Sequence, residues 1–251
     1  MNLLSKKNLP IEAELLFLLS RLDIDVSQQN RIESIISNID WDYFTPITIK
    51  HGVSAIIFKN LLKLKNIPQD ILIKFEHIYN NCLRSNILMA AEIDQVVDTL
   101  SSKGIEVIIL KGPITSEKIF GDIGLYPSGD IDILVKVKNI ERVIEILRSE
   151  GYRLRDTGFD EYRDYYVKEL YHISMSNGKY VVEPHWNLFM RYFTTPPDFW
   201  WEEISLITSG ERQYRFLSPE KNILYNSFRL FYKGFTPLRF LVFISAIIQH
   251  Y

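Results

Sequence analysis

Cysteine is almost missing from this chain: Cys82 stands alone among 251 residues. A single thiol forms neither an internal disulfide nor a cysteine-built zinc site, and it fits a reducing compartment. An excess of charge is missing too. The formal net charge is −2, so no global basic field draws the protein to nucleic acid or anionic lipid, and a polyanionic partner must be held by local groups. Long apolar runs are absent. The most apolar one, residues 240–248, is about half of the roughly 20 residues a membrane-spanning helix needs. The apolar stretch at 15–19 follows Glu12 and Glu14 and precedes no small-residue cleavage pattern, so it is not read as a secretory signal. Glycine-rich Walker and Rossmann fingerprints are also lacking, which argues against those nucleotide folds. The expectation is a soluble, cytoplasmic protein.

What is present is ordinary globular composition, 47% hydrophobic and 24% charged, in a chain long enough for one large domain or two small ones. Residues 1–103 read as an N-terminal helical region. Apolar spacing predicts helices over 11–22, 27–39, 47–64 and 69–101, the last starting after Pro68 and stopping at Lys103-Gly104. Residues 104–190 change register. The run 105–110 (IEVIIL) predicts a buried strand, 114–120 a short helix, 130–137 a strand, 140–149 an amphipathic helix and 152–155 a strand; 156–169 reads as a charged, tyrosine-rich connection. Asn177-Gly178 between 170–176 and 179–186 predicts a hairpin. A two-residue loop there makes Ser176 face Lys179, Ser174 face Val181 and His172 face Glu183, so His172, Glu183 and His185 share one sheet face. Residues 191–251 read as a C-terminal helical region, with helices over 198–207, 219–232 and 237–249. The chain stops inside an apolar helix, which suggests that the C-terminal part is incomplete.

The chemistry concentrates at Asp130 and Asp132, two residues apart on a predicted strand whose other face carries Ile131, Ile133, Val135 and Val137. Two like charges so close repel, and desolvation raises the cost. One explanation is a solvated strand face. The other is a divalent cation, since Mg²⁺ takes a few carboxylate oxygens and completes its shell with water and phosphate. A third carboxylate from a neighbouring strand would permit a pair of ions, the arrangement suited to phosphoryl or nucleotidyl transfer. Glu183 is the candidate. Lys111-Gly112, at the end of the buried strand, is a break where the backbone can approach a phosphate closely.

The ordered set ILKG at 109–112, GDIDILV at 129–135, GY at 151–152, HISM at 172–175 and VEPHW at 182–186 resembles the uncharacterised nucleotidyltransferases of the polymerase-β-type superfamily. That resemblance implies an α+β fold: a small mixed β-sheet palm flanked by N-terminal and C-terminal helical segments. It implies Asp130, Asp132 and Glu183 as catalytic metal ligands for two Mg²⁺ (or Mn²⁺) ions, and Lys111, Gly112 and Gly129 as nucleotide-binding. Two departures stand out. Lys111-Gly112-Pro113 replaces the usual Gly-Ser, and Tyr126 stands where an arginine is common.

Other residues admit two readings. His172 and His185 either orient Glu183 or shuttle protons, or they are satisfied structural residues. Lys111 is a phosphate ligand or a solvated strand end. The aromatic run YRDYY at 162–166 stacks on a base or covers the sheet; Trp186 belongs to the core, and Phe199-Trp200-Trp201 staples a helix to the palm. The function expected is a metal-dependent nucleotidyltransferase moving a nucleoside monophosphate from an NTP to an unknown acceptor, a protein or small molecule before long nucleic acid. The alternative is a catalytically weak or inactive nucleotide-binding or protein-interaction module, antitoxin-like or an assembly subunit.

Overall fold

The structure, a computed structural model, describes residues 9–251 apart from 157, 190–194 and 197. Helices come first, as the apolar spacing predicts: α1 (Ile11–Leu19), α2 (Val26–Ile35), α3 (Trp41–His51), α4 (Ser54–Leu61) and α5 (Gln69–Ser102). Asp25 opens α2 with a reciprocal capping box to Gln28, and the Asp40 carboxylate accepts the first free N–H groups of α3. The single helix predicted over 47–64 is two, because Gly52 turns left-handed at φ +67° and ends α3 there. Leu15, Leu19, Phe44 and Ile57 bury together with Phe75, near the start of α5. At 34 residues, α5 is about 50 Å long, so its later residues Ile93 and Val96 serve a second core.

That second core lies under a seven-stranded mixed sheet of order β3-β4-β5-β2-β1-β7-β6. Its strands are β1 (Ile108–Ile109), β2 (Ile131–Leu134), β3 (Arg153–Leu154), β4 (Met175–Ser176), β5 (Val181–His185), β6 (Ser205–Ser209) and β7 (Arg212–Phe216). Between them run α6 (Pro113–Phe120), α7 (Ile140–Ser149) and α8 (Arg163–Glu169), with α9 (Pro219–Tyr232) and α10 (Arg239–His250) after the last strand. On one face, Ile131, Ile133 and Val182 pack against α5 and against Val143 and Ile144 of α7. Each such buried side chain contributes roughly 1.5–3 kcal/mol. The two-residue period then forces Asp132 to the opposite face, where Ile108, Leu134 and Trp200 pack with Tyr225 of α9.

Several expectations are corrected. The 105–110 run forms ladder pairs only at Ile108 and Ile109, and the 156–169 connection contains α8. Residues 198–207 are not a helix. A short 3₁₀ turn at Phe199–Trp201 leads into β6, which pairs with β7 through a turn at Gly210 and adds two strands to the sheet. Alternation in RQYRF, with Tyr214 and Phe216 buried, is the physical reason. In the hairpin, Ser176 pairs with Val181 rather than Lys179. Asn177 Oδ1 accepts the N–H groups of both Lys179 and Tyr180, which lengthens the loop. This shift of two residues preserves the face, and His172 bridges to His185.

The loop leading into β2 is pinned from α5. Buried Asn86 donates through Nδ2 to the carbonyls of Ile123 (2.6 Å) and Tyr126 (2.8 Å). Tyr126 packs on Phe243 of α10, with centroids 5.1 Å apart. The start of α10 reaches further back: Leu238 and Val242 join the N-terminal apolar cluster.

Candidate active site

Strands β2 and β5 run parallel with Asp132 directly beside Glu183 and Leu134 beside His185. Ligand atoms of Asp132, Glu183 and His185 all lie within 4.8 Å of one another, a set that could hold a metal ion. Asp130, immediately before β2, is not part of that trio. It joins the site through Lys111, whose Nζ is 2.5 Å from Asp130 Oδ1 and 2.6 Å from Asp132 Oδ2. The strand expected over 130–137 is thus shorter: Asp132 and Glu183 are cross-strand neighbours, while Asp130 lies outside β2 and meets Asp132 through the Lys111 ammonium.

The electrostatics follow from burial and this ammonium. Burial pushes the Asp132 carboxyl up, but the Lys111 charge and the His185 hydrogen bond outweigh it and hold the group well below the usual carboxylate range. Burial likewise pulls Lys111 down, and Asp132 and Asp130 reverse it, so the ammonium stays charged. The balance is imperfect. Asp132 Oδ1 accepts from His185 Nε2 at 3.1 Å, whereas buried Oδ2 touches Lys111 without an aligned hydrogen bond. Glu183 goes the other way: burial, then Asp132 and Asp130, push its carboxyl up to about 7. His172 stacks on His185, with centroids 4.8 Å apart, and burial and that neighbour lower it to about 4.

These groups floor a cleft of about 500 Å³ that α9 closes with Tyr225, Phe228, Arg229 and Tyr232. Sequence reasoning missed this wall. Its signal is an arginine on the stripe Tyr225, Phe228, Arg229, Tyr232, at helical spacing in α9. Lys111 also borders a neighbouring cavity of about 250 Å³, where Gly112 and Gly129 lie. Gly112 caps α6 at φ +117°, ψ −164°, a conformation essentially reserved for glycine. Gly129 is exposed and needs no special dihedral.

The remaining aromatic candidates are elsewhere. Tyr162 and Tyr165 are exposed outside the cleft lining, and Arg163 pairs with Glu141 at 2.9 Å. Trp186 is half-buried and donates its indole N–H to the carbonyls of Val167 and Leu170. Trp200 is buried against Phe189, at 5.1 Å between centroids. Tyr126 is 5% exposed and carries the Arg239 guanidinium 5.8 Å above its ring.

A model of the uncharacterised nucleotidyltransferase family matches residues 37–251. The chain belongs to that family. Membership makes it a nucleotidyltransferase, a transferase enzyme, and the mixed α+β architecture agrees with the expected class. No curated protein matches it. Among solved structures it is similar to the solution structure of the antibiotic-resistance factor ANT(2'')-Ia, at 12% identity and a TM-score of 0.44, covering 66% of this chain and 83% of that one. It is similar as well to ANT(2'')-Ia in complex with adenylyl-2''-tobramycin, at 14% identity and a TM-score of 0.39, covering 65% of this chain and 99% of that one. Likeness at this level does not bear on the acceptor. Among the described residues no helix is long and apolar enough to cross a membrane.

Proposed function

We propose that this nucleotidyltransferase moves a nucleoside monophosphate from an NTP to an acceptor hydroxyl and needs a divalent metal to do so. The observation that carries the reading is the parallel pairing of Asp132 with Glu183, which aims two carboxylates and His185 at one point. Carboxylate oxygens are the hard donors that Mg²⁺ or Mn²⁺ prefers, and buried Asp132 Oδ2 has no directed donor of its own. The donor set fits. Asp130, Asp132 and Glu183 would hold two ions, which when bound neutralise phosphate charge and stabilise the attacking and leaving oxygens.

This chain's own residues supply the rest. Lys111 and the backbone at Gly112 and Gly129 border the space where the phosphates would lie. The acceptor oxygen forms a new bond to the α-phosphorus as the α–β bond breaks and pyrophosphate leaves in line. One of these carboxylates would also take the acceptor's proton. With a net charge of −2, a protein or small-molecule acceptor is favoured over long nucleic acid. The cytoplasmic location expected from the lone cysteine belongs to the same proposal.

The test is incubation with α-labelled NTPs, Mg²⁺ or Mn²⁺ and candidate acceptors, comparing wild type with Asp132→Ala. Label transfer by wild type alone is expected; equal labelling by both sinks the mechanism. One observation favours the second reading, a weakly catalytic nucleotide-binding module. Lys111 Nζ already lies where a cation would satisfy Asp130 and Asp132. If Mg²⁺ fails to bind the full-length protein at millimolar concentration with NTP present, that reading takes over.

A further inference from the structure

The smaller cavity beside the cleft has a charge pattern that the carboxylate site does not explain. Arg229 and Lys233 reach it from the end of α9 and Arg239 from the start of α10, facing Ser128 and Gly129 of the loop before β2. Lys111 lies on the boundary with the cleft, and Asp130 is the one acid in the lining. Among the described residues no carboxylate oxygen lies within ion-pair distance of Arg229, Lys233 or Arg239. With Lys111 the cavity gathers four cations around one carboxylate, Asp130, so positive charge is in excess and the cations repel one another.

The two arginines are held rather than free. Arg229 and Arg239 lie on Phe240, with Cζ 4.7 Å and 5.3 Å from its ring centroid. Arg229 also lies over Tyr225 at 5.4 Å and donates to Asn226 Oδ1 at 3.2 Å. Stacking of this kind uses the guanidinium faces and leaves N–H edges to bind oxygen. The stem of Arg239 runs over Gly52 so closely that a Cβ there would come within 2.7 Å of Arg239 Cδ. With all of this placement, the buried Nε of Arg239 has no hydrogen-bond partner, and neither does the Ser128 hydroxyl. Donors that are fixed, buried and unpaired in a cationic cavity are what an anion with several oxygens satisfies. The N-terminal end of α6, starting at Pro113 beside Gly112, adds its partial positive charge on the same side.

We infer that this cavity is a polyphosphate-binding site, in which Arg239, Arg229 and Lys233 of the C-terminal helices hold the β- and γ-phosphates of a nucleoside triphosphate. Assigning the polyphosphate to an NTP rests on the proposed function; the anion site itself does not. Its position decides the direction in which substrate lies. The α-phosphate falls at Lys111, between the cavity and the carboxylates, and the aromatic wall of Tyr225, Phe228 and Tyr232 is left for the nucleoside and acceptor.

The probe is inorganic tripolyphosphate, titrated calorimetrically into the full-length protein in EDTA at low salt. Micromolar to submillimolar binding is expected for wild type. Lys233→Gln and Arg239→Met, the latter keeping the apolar stem over Gly52, should each weaken it about tenfold or more. Lys65→Gln, an exposed charge outside the cavity, should leave it unchanged, and Asp132→Asn should leave it unchanged or tighten it. No binding by wild type, unaltered binding by the Lys233→Gln/Arg239→Met double variant, or equal weakening by Lys65→Gln each overturns the site. If label transfer is absent while this pattern holds, the nucleotidyl-transfer reading fails and the anion site stands. If transfer occurs without the pattern, the reverse is true.

Discussion

Asp132 and Glu183 are neighbours across two parallel strands yet ionise in opposite senses, one held far down and the other raised to about 7. The difference has one source. Lys111 and His185 both touch Asp132, whereas Glu183 receives chiefly burial and the fields of the two aspartates. Glu183→Gln keeps the shape and removes the charge. It should lower the transfer rate about 10²–10³-fold, the loss usual for one well-placed electrostatic group, and should raise rather than lower the metal-free folding midpoint at neutral pH, because Gln leaves no charge to bury. A rate within a factor of three of wild type would remove Glu183 from the reaction.

Lys111→Met tests the ammonium between the aspartates. Stripped of it, buried Asp132 keeps only His185, and in EDTA the variant should lose about 3 kcal/mol or more. For a chain of this size that is roughly 6–12 °C in melting temperature. Added Mg²⁺ should restore more stability to the variant than to wild type, because it supplies the missing positive charge. A variant that melts like wild type in EDTA would show that Lys111 does not neutralise the pair.

The pH dependence of metal-free stability carries two opposed slopes. Glu183, raised from 4.5 to about 7, is protonated in the folded protein and ionised in the unfolded chain between those values, so its contribution is lost as pH rises through 7. His172, lowered from 6.5 to about 4, is neutral when folded and charged when unfolded, so stability is lost as pH falls through that window. The two offset in wild type. Chemical denaturation from pH 4 to 7.5 should show stability rising with pH in Glu183→Gln and falling with pH in His172→Asn. Parallel profiles for the two variants would contradict the assignment.

Metal affinity follows the same carboxyl. Mg²⁺ binding should strengthen as pH rises toward 7 and level off above it, with a proton released on binding below that point. The slope should vanish in Glu183→Gln, as read by calorimetry in buffers of different ionisation heat.

Gly112→Ala adds a Cβ that meets only Ile93 Cδ1 at 3.8 Å, an ordinary contact. Space is therefore not the obstacle. The positive φ of +117° is, and forcing alanine into it should cost about 1–3 kcal/mol, measured by denaturant unfolding. An unchanged midpoint would mean that the Lys111-Gly112-Pro113 turn relaxes to another conformation.

The sequence made the carboxylate floor legible because local rules set it. Alternation fixed the face of Asp132, and an Asn-Gly hairpin aimed Glu183 and His185; the register error of two residues did no harm because the period is two. Helix α7 was read at its true ends, since its apolar stripe and the glycine after it agree. The strand pair β6–β7 was lost because a partly exposed five-residue strand has a weak pattern. Arg229, Lys233 and Arg239 were lost for a different reason. Their role depends on which side of α9 and α10 meets the sheet, and that is decided by contacts more than a hundred residues away in sequence, such as Arg239 over Gly52. Tyr126 shows both sides of the matter: read as a missing arginine, it is a buried platform with an arginine from α10 lying on it.

The last helix returns to the first layer of the molecule, where Leu238 and Val242 sit among the N-terminal side chains. The gape of the cleft is thus not set by the sheet alone. Its α9 wall leans on α10, which is riveted to a frame built from the opposite end of the chain, so a methyl group trimmed from that frame should change the grip on substrate as well as the melting point.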